Sequence, residues 1–156
     1  MEIKDILSSD CTRCAVPITS KKRALQIISV VASEKLSELN EEDVLNSLLC
    51  REKMGSTGIG NGIAIPHGRV EGLSSPLAIV LTCSPGIEFD AIDNQPVDIF
   101  CAILIPEDQC QAHLSTLAGI AKLLSQKELT KKIRHAETNQ QLYQLLVDYS
   151  AMDAAK

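Results

Sequence analysis

The sequence has no tryptophan, two phenylalanines, two tyrosines and no long apolar run. So few aromatic rings exclude the stacking platforms of single-strand nucleic-acid binders. They leave the core to Leu, Ile, Val and Ala. A basic excess is also missing: 15 Lys and Arg stand against 20 Asp and Glu, a net charge of −5. Nucleic-acid binders carry the opposite balance, so nucleic acid is not expected as a partner. An acidic surface suits a protein that docks on a basic one. The longest apolar candidate, Val97 to Ile105, is interrupted by Asp98 and stops at Pro106, well short of the roughly 20 residues a membrane helix needs. The first residues, Met1-Glu2-Ile3-Lys4-Asp5, are charged and lack the apolar stretch of a signal peptide. A cytoplasmic protein without membrane insertion is expected.

In that compartment the cysteines at 11, 14, 50, 83, 101 and 110 are expected to be reduced thiols. Cys83 and Cys101 lie inside apolar runs and read as small core residues. Cys11-Thr12-Arg13-Cys14 is a lone CxxC. No second Cys or His pair completes a zinc site, and no βαβ context supports a thioredoxin-like one. Neither a metal nor a cofactor is expected.

What is present is ordinary globular material, 45% hydrophobic and 22% charged over 156 residues. One domain is expected over residues 1–150, with 151–156 as a fraying tail. Ser20 can cap a helix from Lys21 to about Leu36. Its Leu25, Ile28, Val31, Ala32 and Leu36 fall at helical spacing, which leaves Lys21, Lys22, Glu34 and Lys35 for solvent. Asn40 starts a second helix whose first turn holds Glu41, Glu42 and Asp43, where the helix dipole favours negative charge. That helix runs out near Gly55 with Arg51 and Lys53 in its last turn. Ile63-Ala64-Ile65 reads as extended, a bias that Pro66 reinforces. Pro76 to Cys83 and Val97 to Ile105 fit strands buried on both faces. Helical patterns follow from Gln109 to about Leu124, around Leu129 to Ala136, and from Leu142 to Tyr149. The order predicts an α/β fold: a single compact domain with a small mixed β-sheet and helices on both faces.

Gly55-Ser56-Thr57-Gly58-Ile59-Gly60-Asn61-Gly62 invites a phosphate-binding reading. A P-loop requires Lys and a hydroxyl after the second glycine, and Asn61 and Gly62 stand there instead. A dinucleotide fingerprint follows a strand and opens a helix, whereas this segment follows a helix and precedes a strand. ATP and NAD are therefore disfavoured. What remains is a helix-to-strand loop whose glycines permit unusual backbone angles and close approach. His67 follows in Ile65-Pro66-His67-Gly68-Arg69. Pro66 restricts the chain before it and Gly68 frees the chain after it, so the imidazole can be displayed at a corner. Spacing alone does not separate a working histidine from an incidental surface one.

The run from Arg51 to Gly68, REKMGSTGIGNGIAIPHG, closely resembles the active segment of IIA components of the bacterial phosphoenolpyruvate phosphotransferase system. It is similar to the fructose/mannitol class, and within that class to the nitrogen-regulatory branch. Phe89 to Asp98, FDAIDNQPVD, resembles the same branch, and Gln111-Ala112-His113-Leu114 matches a third motif. The resemblance implies that His67 accepts a phosphoryl group at Nε2, that Arg51 contacts that group, and that His113 assists beside it. His135 matches no functional position. The implied donor is an HPr-like phosphohistidine protein, itself charged from phosphoenolpyruvate by an enzyme I. The implied output is phosphorylation-dependent binding to regulatory targets such as potassium transporters and sensor kinases. The alternative is a sugar-specific IIA that hands the group to a IIB partner. Either way the chain is expected to be a phosphotransferase-system component with a phosphohistidine intermediate.

Overall fold

The computed structural model of the chain describes residues 2–154. Its elements run α1 (Ile3–Ile6), β1 (Thr12–Arg13), α2 (Lys21–Lys35), α3 (Glu41–Lys53), β2 (Gly58–Gly60), β3 (Ile63–Ala64), β4 (His67–Val70), β5 (Leu77–Ile87), β6 (Val97–Pro106), α4 (Leu114–Leu124), α5 (Lys127–His135) and α6 (Asn139–Ala154). Short 3-10 turns cover Ser9–Cys11 and Gln111–His113.

The two apolar runs form the middle of the sheet, β5 antiparallel to β6. β1 adds parallel to β5, and β2 closes the other edge antiparallel to β3. β3 and β4 both lie parallel to β6, pairing Ala64 with Phe100 and His67 with Ile103. The register does not slip between them, so they are one strand interrupted at Ile65–Pro66. Proline has no N–H for a ladder, but the Pro66 carbonyl still accepts from Ile103 N–H at 2.9 Å.

Alternation along the central strands divides the core. Ile79 and Leu81 of β5, with Phe100, Ala102 and Leu104 of β6, face the side covered by α2 and α3. Val80 of β5, with Ile99, Cys101 and Ile103 of β6, face the side covered by α1, α4, α5 and α6. Strands buried on both faces read as continuous hydrophobic runs, which is why both were legible. The expected α/β architecture, a mixed sheet with helices on both faces, is the one found. Among the described residues no helix is long and apolar enough to cross a membrane.

The expected helix starts are in place. Ser20 Oγ accepts from Arg23 N–H and Asn40 Oδ1 from Asp43 N–H, each at 3.1 Å. Three details differ. The glycine-rich segment is not all loop, since Gly58–Gly60 is strand β2, turned back on β3 through Asn61 and Gly62, both at positive φ. His67 comes after the short extended segment, as the sequence suggests, but it also opens a strand that the sequence did not show, β4. α6 continues to Ala154, past the boundary expected at 150, and the remainder of the expected tail, 155–156, lies outside the described residues.

Candidate functional site

Arg51 sits in the last turn of α3, and His67 at the point where the interrupted strand resumes. Packing of α3 against β4 brings the two side chains together. Arg51 Nε–H donates to His67 Nε2 at 3.1 Å, and Arg51 Nη1 donates to the Gly55 carbonyl at 2.8 Å. The other ring nitrogen, His67 Nδ1, lies 3.0 Å from the Ile65 carbonyl.

These contacts assign the tautomer. A carbonyl oxygen only accepts, so Nδ1 carries the proton and donates it. Nε2 therefore keeps its lone pair, which suits the guanidinium N–H aimed at it. Burial of the ring pulls its pKa below the ordinary histidine value, and the Arg51 charge pulls the same way. The Ile65 carbonyl and the Glu52 charge oppose them without reversing the direction. His67 is thus a neutral imidazole with one free nitrogen at ordinary pH.

That nitrogen is reachable. Two surface hollows meet at Arg51 and His67. The larger, about 540 Å³, is lined also by Cys50, Met54, Arg69 and Cys110. The smaller, about 200 Å³, is lined also by Thr57, Ile59, Ile65 and Leu117.

Two side chains to which the sequence assigned no part in the site hold this corner. Glu52, its side chain only 5% exposed, accepts from Thr57 N–H at 3.2 Å and from the Thr57 hydroxyl. Its carboxylate also pairs with Lys21 Nζ at 3.0 Å. Lys21, read from periodicity as a solvent residue, instead spans from α2 to α3. Gly58 makes a further fixed contact. A Cβ there would lie 2.8 Å from Ala91 Cβ, so only glycine lets the 88–96 loop close on β2. On the far side of the hairpin, Arg134 of α5 donates from Nε to Asp98 Oδ2 at 2.8 Å and from Nη2 to Asp98 Oδ1 at 3.1 Å and to the Asn61 carbonyl.

His113 is 8% exposed, ends the 3-10 turn and stands at the N-cap of α4, so it opens the apolar helix. In the chain it lies between Cys110 and Leu117, each of which lines one hollow, but it lines neither itself. Its Nε2 lies 3.1 Å from Gln109 Oε1, and no hydrogen bond joins it to His67 or Arg51. The His135 ring bonds the Lys131 carbonyl within its own helix. Cys11 is buried, and Cys14 presents its N–H to Asn139 Oδ1. Among the described residues no three His, Cys, Asp or Glu side chains converge as a metal site requires. Burial pushes the Cys83 thiol up to about 11 and the Cys101 thiol up to about 12, as expected for core residues.

A neutral imidazole beside a forked guanidinium at a surface hollow combines a nucleophile with an anion clamp. The family described as "Phosphoenolpyruvate-dependent sugar phosphotransferase system, EIIA 2" matches residues 5–149. A nitrogen regulatory protein of Escherichia coli strain K12 is 46% identical, over 95% of this chain and 91% of that protein. A fructose-specific EIIA component of Haloferax volcanii is 29% identical, over 85% of this chain and 86% of its own length. Among solved structures, the nitrogen regulatory protein IIA-Ntr of Neisseria meningitidis superposes with a TM-score of 0.85 at 31% identity, covering 92% of this chain and 98% of that one.

Proposed function

The chain belongs to the EIIA 2 family of the phosphoenolpyruvate-dependent sugar phosphotransferase system, and we propose that within it His67 is the phosphoryl acceptor and its phosphorylated form a signal read by other proteins. One observation carries this reading: Nε2 of a neutral ring is unprotonated, reachable and faced by Arg51.

The donor is a phosphohistidine protein of the HPr class. As the Nε2–P bond forms, the donor's N–P bond breaks and its electron pair returns to the donor imidazole nitrogen. The donor ring, protonated on its other nitrogen, leaves as neutral imidazole; His67 keeps its Nδ1–H on the Ile65 carbonyl and its ring takes up the positive charge, so no proton moves. Such a transfer passes through a loose in-line transition state, where catalysis is positioning and charge stabilisation. Arg51 supplies the charge, turning its N–H donors from Nε2 to the phosphoryl oxygens. His113 is assigned a supporting role at the start of the helix that lines the smaller hollow. A protein donor also accounts for the large exposed hydrophobics: Met54 and Ile59 line the two hollows, Leu114 opens the helix that carries Leu117, and Ile92 lies beside Gly60 of β2.

The higher identity to relatives named nitrogen regulatory protein than to the fructose-specific component supports a regulatory output. On that reading, phosphorylation sets a phosphoryl group of about −1.5 to −2 charges, partly offset by the cationic ring that carries it, beside the rim. The set of bound proteins, potassium transporters and sensor kinases among them, changes with it. Incubation with enzyme I, an HPr-class carrier and labelled phosphoenolpyruvate is the test. Label on the wild type and none on His67→Ala is expected; an unlabelled wild type overturns the reading. Onward transfer to a fructose-class IIB would place the chain in sugar uptake instead.

A further inference from the structure

We propose that Lys21 and Glu52 act as a charge-compensated pair that positions the His67 site, Glu52 by locking the turn that holds the Arg51 guanidinium and Lys21 by cancelling the Glu52 charge. The inference rests on His67 being the phosphoryl acceptor and names two residues that serve it without touching the group.

A carboxylate as buried as that of Glu52 is costly unless paired and hydrogen-bonded. Here it is both, through Lys21 Nζ at 3.0 Å and through the N–H and hydroxyl of Thr57. Those bonds fix the turn from Gly55 to Thr57. Gly55, at φ +142°, in turn aims its carbonyl at Arg51 Nη1. The guanidinium is thereby held with Nε towards His67. Contacts run from Lys21 through Glu52 to Thr57, the backbone of Gly55–Thr57 carries that constraint to the Gly55 carbonyl, and contacts resume from Gly55 through Arg51 to His67.

Lys21 is placed against its own helix. It stands in the first turn of α2, where the dipole disfavours a cation, and that turn holds no acidic residue. Groups from other elements hold it there. Glu52 is at 3.0 Å, Asp90 at 3.8 Å, and the Phe89 ring centroid lies 4.7 Å from Nζ. The need for its charge follows from the reaction. A phosphoryl group on Nε2 brings about −1.5 to −2 charges towards a carboxylate already close enough to act on the His67 ring. With Lys21 present, that carboxylate is neutralised before the anion arrives.

The test uses the full chain with Lys21→Met, Lys21→Arg and Glu52→Gln. NMR titration of the His67 ring is one readout, and single-turnover acceptance from a phosphorylated HPr-class carrier is the other. The charged and titratable groups facing His67 are Arg51 and Glu52 of α3, Arg69 of β4, Glu107, and the Cys50 and Cys110 thiols. All but Glu52 are common to every variant. Lys21→Met leaves the carboxylate uncancelled, stabilises the imidazolium and raises the His67 pKa; Lys21→Arg restores it; Glu52→Gln lowers it. Acceptance falls at least about tenfold in Lys21→Met and Glu52→Gln, with the donor concentration at half-maximal rate unchanged. An unmoved His67 pKa in Glu52→Gln, or transfer at the wild-type rate in that variant, overturns the proposal. Glu52→Gln is isosteric, so it decides the matter even if Lys21→Met does not fold. The titration needs no donor. A wild type that takes no label therefore sinks the acceptor reading, while the ring pKa values still report on the pair.

Discussion

Arg51 Nε stands 3.1 Å from His67 Nε2, the one ring nitrogen that the Ile65 carbonyl leaves without a proton. The charged ring is disfavoured by burial first and by the guanidinium after it, so its pKa lies below the ordinary value, which is about 6.5. A group whose folded pKa is depressed gives stability that is present above the unfolded value and lost as pH falls through the folded one. Phosphoryl acceptance should follow the same course, with an acid limb centred below pH 6.5. A pH–rate profile at saturating donor checks it, alongside ¹⁵N spectra in which Nδ1 is the protonated nitrogen. A limb at or above that pH would mean the ring is not held neutral by its surroundings.

Arg51→Lys keeps the charge and loses the fork. A lysine ammonium cannot hold the Gly55 carbonyl and Nε2 together in the planar geometry now present. Acceptance should fall by about 10²-fold, the usual cost of one misplaced donor at a developing anion. The His67 pKa should move little, since the positive charge stays. Rapid-quench labelling with a parallel NMR titration separates the two effects, and unchanged kinetics would remove Arg51 from the transfer step.

Gly58→Ala forces a methyl group to within 2.8 Å of Ala91 Cβ and 2.9 Å of Ala91 Cα. The second contact is backbone, so the 88–96 loop must move away from β2. A loss of about 1–3 kcal/mol is expected, the range for overpacking a close contact. Urea denaturation of Gly58→Ala, Ala91→Gly and the double variant checks it. Ala91→Gly removes the Cβ and should recover part of the loss. A double variant no more stable than the additive sum would mean that the two residues do not meet.

Most of this architecture was legible because its signals are local. Ser20 and Asn40 announce their helices by side-chain chemistry, and the runs around Leu81 and Cys101 are apolar throughout because both sheet faces are covered. The misses have a common cause. β2 and β4 are built from Gly58, Gly60, Gly68 and their neighbours, residues of poor strand propensity that pair only because β6 and the 88–96 loop lie beside them. At the site, His67 and Arg51 were legible through one contiguous motif, whereas Glu52 inside the same motif had no signal separating it from a solvent carboxylate. Lys21 did carry one, since a cation in the first turn of a helix opposes the dipole and asks for a partner elsewhere. Periodicity cannot name that partner, because it lies in another helix.

Exposed apolar side chains at the hollow that His67 lines (Met54) and beside β2 (Ile92) allow partner docking to be separated from chemistry. Met54 is 82% exposed at the C-cap of α3, and Ile92 is 81% exposed on the loop whose N–H bonds the Gly58 carbonyl. Neither supports the core, so Met54→Ser and Ile92→Ser should each change stability by no more than about 0.5 kcal/mol. Large apolar side chains on the rim of a site matter when a protein covers them and are idle when a small molecule enters. Each variant should therefore need several-fold more phosphorylated HPr-class carrier for half-maximal acceptance, and the double variant more again. Acceptance from phosphoramidate, a small donor that makes no such contact, should stay at the wild-type rate. An equal loss with both donors would place the defect in the site, and no loss with either would remove these residues from the docking face.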